Sequence, residues 1–363
     1  MTTAPVRVLA LPRYGRLGAS SRLRWLQFEP PLAAAGLLLQ THALLDDAYL
    51  QRKYRRQPVL AEVLRGYWRR ARLLAGGLGG TDVIWLEKEL WPWAPAWLER
   101  WLLRGRPFVL DFDDAIFHTY DRHQNPLLRA LYGRKIDRLM RAAALVVVGS
   151  PYLGERAHAA GARRVESLPT VVDHSRYPQA SASAGLADTD RPLRVGWIGS
   201  PATAHYVQRL AAPLAALARQ RPVVLHLIGA DIALSGVEVL PLPWSEEGET
   251  QAIAALDIGV MPLPDTPWEH GKCGYKLIQY MACGLPVVAS PVGANPTIVE
   301  HGVDGFLADD DGAWLAALTQ LAGDPALRHQ MGEQGRAKVS ARFSLQSAAP
   351  RLAGWLREIS LAR

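Results

Sequence analysis

Apolar and polar residues follow two periods along this chain, and both periods recur in its two halves. Short apolar runs of strand length end at Gly, Pro or polar residues, and stretches with helical spacing follow them. The runs that predict buried strands are 6–11, 82–87, 107–110, 144–149, 193–198, 223–228 and 237–240. Because uninterrupted apolar strands that alternate with helices are typical of parallel sheets covered on both faces, we predict an α/β fold.

A segment without periodicity separates the two halves. Residues 179–192, QASASAGLADTDRP, are rich in Ala and Ser and have no apolar period. Such a composition is typical of a linker. We therefore predict an N-terminal domain at 1–178 and a C-terminal domain at 193–344.

Two segments of the N-terminal half set aromatic and aliphatic side chains among arginines. Residues 52–75 give a helical stripe of apolar side chains whose opposite face is strongly cationic. Residues 91–106 hold four tryptophans among three arginines, namely Trp91, Trp93, Trp97 and Trp101 with Arg100, Arg104 and Arg106. Both segments suit an anionic membrane surface. The alternative is a core-facing helix with a solvated basic face.

The composition is that of a globular protein with room for two domains. The chain has 363 residues, of which 49% are hydrophobic and 21% are charged. Its two cysteines, Cys273 and Cys283, have neither metal-ligand spacing nor a disulfide framework, which favours a reducing cytosol. No long apolar run follows positive charge near residue 1, so we predict neither a signal peptide nor a membrane span. The expectation is a cytoplasmic protein, soluble or peripheral on the inner face of the membrane.

The positive charge is confined to the N-terminal half. Residues 1–180 carry 27 Lys and Arg against 16 Asp and Glu, a net charge of +11, whereas residues 181–363 carry 14 against 18, a net charge of −4. This asymmetry indicates an anionic partner for the first half. No nucleic-acid-binding motif accompanies it, so we expect an anionic membrane surface and no nucleic acid.

The most informative stretch is residues 271–293, GKCGYKLIQYMACGLPVVASPVG. It predicts a helix opened by glycine and followed by a short buried strand. Lys272 and Lys276 fall at and just inside the predicted helix start, where the positive end of the helix dipole disfavours cations by roughly 0.3–1 kcal/mol each. A diphosphate held by backbone N–H groups and both ammonium groups would explain this placement. The alternative is a pair of solvated lysines.

A Gly-containing loop follows the first predicted strand. Its sequence, GRLGASSR, includes Gly18, and Ser20 or Ser21 is expected to cap a helix that starts near Arg22. A bare structural turn is the alternative interpretation.

A similar loop follows the first strand of the second half. Gly199 and Ser200 precede a proline and a predicted helix, which makes this a second helix start that could face a phosphate. A complete Gly-x-Gly-x-x-Gly pattern is missing from both loops, and this argues against a nicotinamide dehydrogenase.

Three aspartates cluster where the strand at 107–110 ends. Mutual repulsion among Asp111, Asp113 and Asp114 should raise at least one pKa unless Arg or Lys neutralises them. Because the carboxyl end of a strand is the functional edge of a doubly wound sheet, the cluster is an acid/base candidate. The alternative is a helix N-cap at Asp113 or Asp114.

The stretch at 271–293 resembles the C-terminal signature of family 4 glycosyltransferases, which have the GT-B fold. That signature is a Glu, seven residues, a second Glu, and then Ala-Met-Ala-x-Gly-x-Pro-Val-Val-Ala-Ser. The matching positions are Met281, Ala282, Gly284, Pro286, Val287, Val288, Ala289 and Ser290. The two family glutamates fall on Gly271 and Gln279, so the chain departs from the pattern at both.

The resemblance implies two facing Rossmann-like domains with a cleft between them and a helix at 345–363 that returns to the first domain. It also implies retaining transfer of a sugar from a nucleotide-diphosphate sugar to an acceptor, such as a lipid-linked or cell-surface glycan precursor. No metal or other cofactor is expected, because proteins of this fold generally hold the diphosphate with cationic side chains and helix dipoles. The alternatives are a nucleotide-sugar epimerase and an inactive protein that binds nucleotide sugars or acts as a membrane scaffold.

The resemblance also assigns roles to residues of this chain. The catalytic candidates are Asp113 or Asp114, which would orient the acceptor, and Glu269, which would contact sugar hydroxyls in place of a missing family glutamate. The donor-binding candidates are Gly18, Arg22, Gly199, Ser200, Lys272, Gly274, Tyr275, Lys276 and Gln279. In this set the two lysines and the amides near the glycines of the second half would hold the diphosphate, and Gln279 would contact the ribose.

Overall fold

The computed structural model describes residues 5–178 and 191–361. The predicted linker at 179–192 lies outside the described residues except for its last two positions. The chain divides into two compact units, here called unit 1 (Met1–Val171 with Leu345–Arg363) and unit 2 (Val172–Ser344).

Unit 1 is built on a parallel sheet of six strands in the order β2-β1-β3-β4-β5-β6. The strands are β1 (Val6–Leu11), β2 (Leu37–Thr41), β3 (Val83–Glu87), β4 (Phe108–Phe112), β5 (Leu145–Val148) and β6 (Val165–Ser167). The helices are α1 (Ala19–Arg24), a 3₁₀ helix (Leu26–Phe28), α2 (Glu29–Ala34), α3 (Asp47–Tyr54), α4 (Leu60–Ala75), α5 (Ala96–Leu103), α6 (His118–Asp121), α7 (Pro126–Tyr132), α8 (Lys135–Ala142), α9 (Pro151–Ala159) and the C-terminal helix (Leu345–Leu361). The 3₁₀ helix that follows β6 in the chain (His174–Arg176) belongs to unit 2.

Unit 2 has a second parallel sheet of six strands, in the order β12-β11-β10-β7-β8-β9. The strands are β7 (Leu193–Ile198), β8 (Val223–Ile228), β9 (Glu238–Leu242), β10 (Ile258–Met261), β11 (Val287–Ala289) and β12 (Gly305–Leu307). The helices are a 3₁₀ helix (Pro201–Leu210), α10 (Ala211–Ala218), α11 (Glu249–Ala254), α12 (Pro267–His270), α13 (Tyr275–Ala282), α14 (Asn295–Ile298), α15 (Asp311–Gly323) and α16 (Pro325–Arg342), and the C-terminal helix of unit 1 is then α17.

The apolar runs form strands because both faces of each sheet are covered. In unit 1 the side chains of β3 and β4 are buried, and α17 packs its residues Leu352 and Leu356 into the same core as Trp85. All strands are parallel, but the order in which successive strands are added across the sheet reverses between β1 and β3 in unit 1 and between β7 and β10 in unit 2. In open α/β sheets, ligands bind at the carboxyl ends of the strands beside such a reversal.

The segment predicted as one helix at 52–75 forms two helices, α3 and α4, separated at residues 55–59. On α4 the apolar stripe points outward, since Leu60, Leu64 and Trp68 are 68%, 61% and 59% exposed. The buried face of α4 instead carries Glu62 and Arg70. The core-facing alternative for this helix is therefore wrong.

Arg70 fixes this orientation of α4. Its guanidinium donates to the carbonyl oxygens of Pro12, His42 and Leu90 at 2.9, 2.7 and 3.3 Å. These carbonyls belong to the segments that follow β1, β2 and β3. A rotation of α4 that buried its apolar stripe would leave the guanidinium and all three carbonyls without these bonds, at a cost of about 1–3 kcal/mol for each unsatisfied group.

No helix within residues 5–178 and 191–361 combines the length and the hydropathy needed to cross a bilayer.

Candidate functional site

Helix α13 begins later than the sequence pattern predicts. Its N-cap is Gly274, with φ 66° and ψ 20°, and its first residue is Tyr275. Glycine is required there, because the left-handed conformation disfavours other residues and a Cβ atom would lie 2.2 Å from Cδ1 of Ile298. Lys272 therefore precedes the helix, and only Lys276 lies in its first turn. The helix-dipole argument applies to Lys276 alone.

Tyr280 anchors α13 to the sheet of unit 2 at its reversal point. Strands β7 and β10 pair only through Val195 with Ile258 and Gly196 with Gly259. Beyond these pairs, the hydroxyl of Tyr280 accepts from the N–H of Ile198 at 2.9 Å and donates to the carbonyl of Val260 at 3.4 Å. Residues four apart share a helix face, so this anchor holds Lys276 at the carboxyl end of β7.

Lys276 lies across the end of β7. Its ammonium nitrogen is 5.3 Å from the ring centroid of Trp197, and a Cβ atom at Gly199 would come within 3.1 Å of its Cε. The ammonium of Lys272 is 5.7 Å from the ring centroid of Trp268. Neither lysine pairs with a carboxylate anywhere in the described part of the chain. Burial, and secondarily the charge of Lys272, lowers the pKa of Lys276 to about 8.

The neighbouring donor-binding candidates are partly occupied by internal hydrogen bonds. The N–H of Gly199 donates to the carbonyl of Ile228 at 3.0 Å, so this amide, predicted to hold a diphosphate, is used within the sheet. Ser200 is exposed at the N-cap of the 3₁₀ helix that starts at Pro201. Gly199 therefore does not offer a free amide. Its lack of a side chain instead leaves room beside Lys276.

Gln279 and Tyr275 share a partner within unit 2. The Gln279 amide is buried and donates to the hydroxyl of Tyr177 at 3.2 Å. The hydroxyls of Tyr275 and Tyr177 are 3.4 Å apart. Gln279 therefore spends one of its two amide donors on a tyrosine of its own unit, which leaves its second donor and its carbonyl oxygen for other contacts.

Glu269 is also buried and bonded within unit 2. The hydroxyls of Tyr206 and Thr266 donate to its two carboxylate oxygens. Burial and the hydrogen bond to this carboxylate raise the pKa of Tyr206. Each oxygen of Glu269 keeps a further lone pair, so the carboxylate is held in a fixed orientation while still able to accept from another hydroxyl.

The aspartate cluster of unit 1 is organised around a residue that the sequence did not point to. The ammonium of Lys88 lies 2.8 Å from Asp113, 3.2 Å from Asp114 and 3.6 Å from Glu87. Lys88 is 4% exposed and has a positive φ of 64°, which is uncommon for a side chain of this size. It follows β3 directly, at the reversal point of the first sheet.

The charge of Lys88 changes the chemistry expected of Asp113. Burial raises the pKa of Asp113, but the charges of Lys88 and Arg24 together with the hydrogen bonds to the carboxylate outweigh burial and hold that pKa well below its ordinary value. The same carboxylates raise the pKa of Lys88 above its ordinary value despite burial. Asp113 is thus ionised and accepts hydrogen bonds, because Lys88 neutralises it as the sequence prediction allowed.

The raised pKa belongs to Asp111. Burial raises the pKa of Asp111 to about 6, against the opposing charge of Arg24, whose Nε lies 2.6 Å away. Trp85 also donates to this carboxylate, at 3.2 Å. Asp111 is fully buried, so its role is to hold α1 to β4.

The loop after β1 differs from the prediction in how its helix begins. Helix α1 starts at Ala19, with Gly18 as N-cap and no side-chain cap. Ser21 instead donates to Glu87 at 2.8 Å and accepts from the N–H of Tyr14 at 3.0 Å. The buried Arg22 donates to the carbonyl of Arg16 at 3.2 Å. Gly18 has a packing reason as well, since a Cβ atom there would lie 2.4 Å from Cβ of Tyr14.

Sequence reasoning missed Lys88, Tyr177 and Tyr280. Lys88 could have been found as the cation immediately after the predicted strand that precedes the strand of the aspartate cluster. Tyr280 lies inside the signature stretch but carries no local signal, because its partners are backbone groups of two other strands. In the described residues no group of three or more His, Cys, Asp or Glu side chains is placed to hold a metal ion.

Comparison with known proteins gives a family match within unit 2. Residues 192–324 match the family described as Glycosyl transferases group 1. The D-inositol 3-phosphate glycosyltransferase of Thermobispora bispora is 33% identical over 136 residues, which are 37% of this chain and 30% of that protein. The match therefore spans less than a third of that relative.

Solved structures resemble nearly the whole chain. Sucrose-phosphate synthase of Thermosynechococcus elongatus has a TM-score of 0.71 at 17% identity, covering 99% of this chain and 100% of that one. HepE of Anabaena, in a complex with UDP, has a TM-score of 0.69 at 19% identity, covering 97% and 100%. The two six-stranded parallel sheets of this chain agree with the fold of these neighbours. The group 1 match over residues 192–324 agrees with that fold as well. The chain therefore has the GT-B fold, and its residues 192–324 are similar to the group 1 glycosyltransferases.

Proposed function

We propose that this protein transfers a sugar from a nucleotide-diphosphate sugar to an acceptor, with retention of configuration. Unit 2 binds the donor and unit 1 binds the acceptor. The observation that carries the proposal is the pair Lys272 and Lys276, two cations without a carboxylate partner in the described residues, at the carboxyl end of β7. UDP is the first nucleotide to test, because the structural neighbour HepE is known in complex with UDP.

The two lysines suit a leaving diphosphate. As the bond to the sugar breaks, negative charge grows on the diphosphate, and ammonium groups already in position stabilise it without reorganisation. The described residues beside Lys276 are Trp197, Gly199 and Lys272, and none of these is a nucleophile with a base of its own. A same-face displacement through an ion pair is therefore preferred to a covalent intermediate.

The carboxylates of unit 1 suit an acceptor hydroxyl. Asp113 keeps its charge beside Lys88, and Asp114, whose carboxylate lies 3.2 Å from the same ammonium group, is about a fifth exposed at its side chain. An ionised carboxylate accepts a hydrogen bond from a sugar hydroxyl and orients its oxygen toward the donor carbon. In this proposal they orient the acceptor without releasing a proton of their own.

We infer further that unit 1 binds an anionic membrane surface, where a lipid-linked acceptor would be available. Among the described residues of unit 2 the exposed large hydrophobic side chains are Leu240 and Val303, whereas unit 1 exposes aromatic and leucine side chains on α4, α5 and α7. The only acidic residue of α4 and the only one of α5, Glu62 and Glu99, are both buried. The exposed faces of α4 and α5 are therefore apolar and cationic, a combination that favours anionic lipid.

Membrane binding is predicted to depend on the α4 stripe. The double variant Leu64→Ser with Trp68→Ser should bind phosphatidylglycerol vesicles at least about tenfold more weakly than the wild type, since each buried apolar side chain contributes roughly 1.5–3 kcal/mol. Vesicle flotation measures this, and Leu240→Ser in unit 2 is the matched control. Absence of wild-type binding to both anionic and phosphatidylcholine vesicles would remove the membrane proposal.

The affinity for UDP is predicted to fall above pH 8. Because the pKa of free Lys276 is about 8, the ammonium form is complete near pH 7 and is lost as the pH rises, while bound diphosphate keeps the group protonated. Affinity should be roughly tenfold lower at pH 9 than at pH 7. Calorimetric titration from pH 7 to 9 measures this. The Lys276→Arg variant should give a flat profile, because guanidinium stays charged, and equal slopes in both proteins would contradict the assignment.

Turnover with a panel of nucleotide sugars tests the function itself. Slow release of nucleoside diphosphate without acceptor, accelerated by glycan or lipid-linked acceptors, with an α-linked product from an α-linked donor, is the expected result. Formation of an epimer would favour an epimerase. Binding without turnover across all donors and acceptors would favour an inactive binding protein.

A further inference from the structure

A groove of about 490 Å³ lies in unit 1 between the C-terminal ends of α4 and α5. Small-molecule sites typically have volumes of roughly 300–1,000 Å³. Its apolar wall includes Leu74, Leu78, Trp101 and Leu102, and Arg104 and Arg106 also line it. The lining segments precede β3 and β4, so the groove is at the amino edge of the sheet, opposite Lys88 and Asp113. It is separate from the candidate acceptor residues.

The two arginines of the groove have no acidic partner in the described residues. The guanidinium of Arg104 lies 4.6 Å from the ring centroid of Trp101. Arg106 donates to the carbonyl of Leu78 at 3.2 Å and to that of Gly105 at 3.3 Å, which uses only part of its donor capacity. An anionic group of a ligand would complete both guanidinium groups.

The groove continues an exposed apolar surface. Along α4 the stripe of Leu60, Leu64 and Trp68 is extended at helical spacing by Ala71 and Ala75, which is itself a lining residue. On α5 the exposed Trp97 precedes Trp101 by one turn. Two apolar stripes, one on α4 and one on α5, therefore lead to the same groove, where the two guanidinium groups without an acidic partner lie.

We propose that this groove binds a single anionic phospholipid, with the phosphate on Arg104 and Arg106 and the first acyl carbons against Leu74, Leu78 and Trp101. The proposal rests on the membrane docking of unit 1 proposed above. It adds a specific lipid site to that docking surface. Leu78 and Gly79 line the groove, and the four glycines of their segment, GGLGG at 76–80, allow the backbone to adjust to the acyl chain.

Monomeric dihexanoylphosphatidylglycerol, below its critical micelle concentration, is the probe, and calorimetric titration is the measurement. We expect it to bind at least about tenfold more tightly than dihexanoylphosphatidylcholine or glycerol phosphate, because only this probe has both a net anionic headgroup and acyl chains. Ala75→Trp should fill the groove and abolish binding. Arg104→Gln should weaken binding about tenfold, whereas Arg65→Gln, on an exposed position of α4 outside the groove, should not change it.

Failure of the wild type to bind the monomeric lipid, wild-type affinity in Ala75→Trp, or equal binding of glycerol phosphate would each overturn the lipid site. Vesicle flotation separates this result from the docking proposal. A wild type that floats with anionic vesicles but does not bind the monomer contradicts the groove alone. A wild type that binds the monomer but does not float supports the groove and contradicts the docking.

Discussion

Replacing Lys276 with alanine should weaken UDP binding by about 10- to 150-fold. A charge-assisted hydrogen bond to a phosphate oxygen contributes roughly 1.5–3 kcal/mol, which corresponds to that range. The variant should keep its fold, because the anchor of α13 is Tyr280 and the Lys276 side chain makes no ion pair with any described residue. Calorimetric titration of UDP at pH 7 measures the effect.

The matched control for this variant is Arg219→Ala. Arg219 is exposed, and it precedes β8 at the amino edge of the same sheet, away from the carboxyl end of β7. The Arg219→Ala replacement removes one positive charge from unit 2 and should leave the affinity for UDP unchanged. Lys272→Ala should weaken binding and also move the pH at which affinity falls upward, because the charge of Lys272 lowers the pKa of Lys276. Wild-type affinity in Lys276→Ala would contradict the donor site as proposed.

Replacing Lys88 with methionine should destabilise unit 1 by about 3–5 kcal/mol. Removing one partner of a buried ion pair leaves uncompensated charge, here on Asp113 and Glu87. Urea unfolding read by hydrogen exchange of peptides from residues 83–118 reports unit 1 separately. The loss should be smaller at pH 5 than at pH 8, because Asp113 without Lys88 has a raised pKa and can take up a proton as the pH falls.

Lys88→Gly provides a second, independent expectation. Glycine adopts the left-handed conformation without the cost of about 1–2 kcal/mol that other residues incur, so this variant should be more stable than Lys88→Met although it also lacks the charge. Lys53→Met, at an exposed position of the same unit, should change stability by no more than about 0.5 kcal/mol. A Lys88→Met variant as stable as the wild type would show that the ion cluster does not hold the carboxyl edge of β3 and β4 together. A Lys88→Gly variant less stable than Lys88→Met would contradict the stated cost of the left-handed conformation.

Much of the fold follows from local pattern. The apolar runs at 193–198 and 223–228 form strands with the predicted bounds. A strand covered on both faces needs apolar residues at successive positions, so the pattern is visible in a short stretch of sequence. The signature at 281–290 correctly indicated the family whose model matches residues 192–324, since its glycine and small residues meet packing requirements within a single stretch. Gly284 is an example, because its φ of 77° is a conformation that disfavours any residue with a side chain.

The surface and the charge states did not follow from local pattern. The same apolar period on α4 allowed either a buried or an exposed stripe, and the choice depends on Arg70, whose acceptors come from segments after three different strands. Which carboxyl group after β4 keeps its charge depends on Lys88, which follows the neighbouring strand β3.

The sequence by itself thus determined the alternation of strands and helices, the likeness of residues 192–324 to group 1 glycosyltransferases and the two lysines, because each is encoded in residues that are close along the chain. Only the tertiary structure decided where α4 turns its apolar face, which aspartate is ionised and how Lys276 is held at β7. Those properties arise from side chains that meet between strands distant in sequence, and a pKa or a helix orientation is the sum of such non-local contacts. Local periodicity carries no information about that sum.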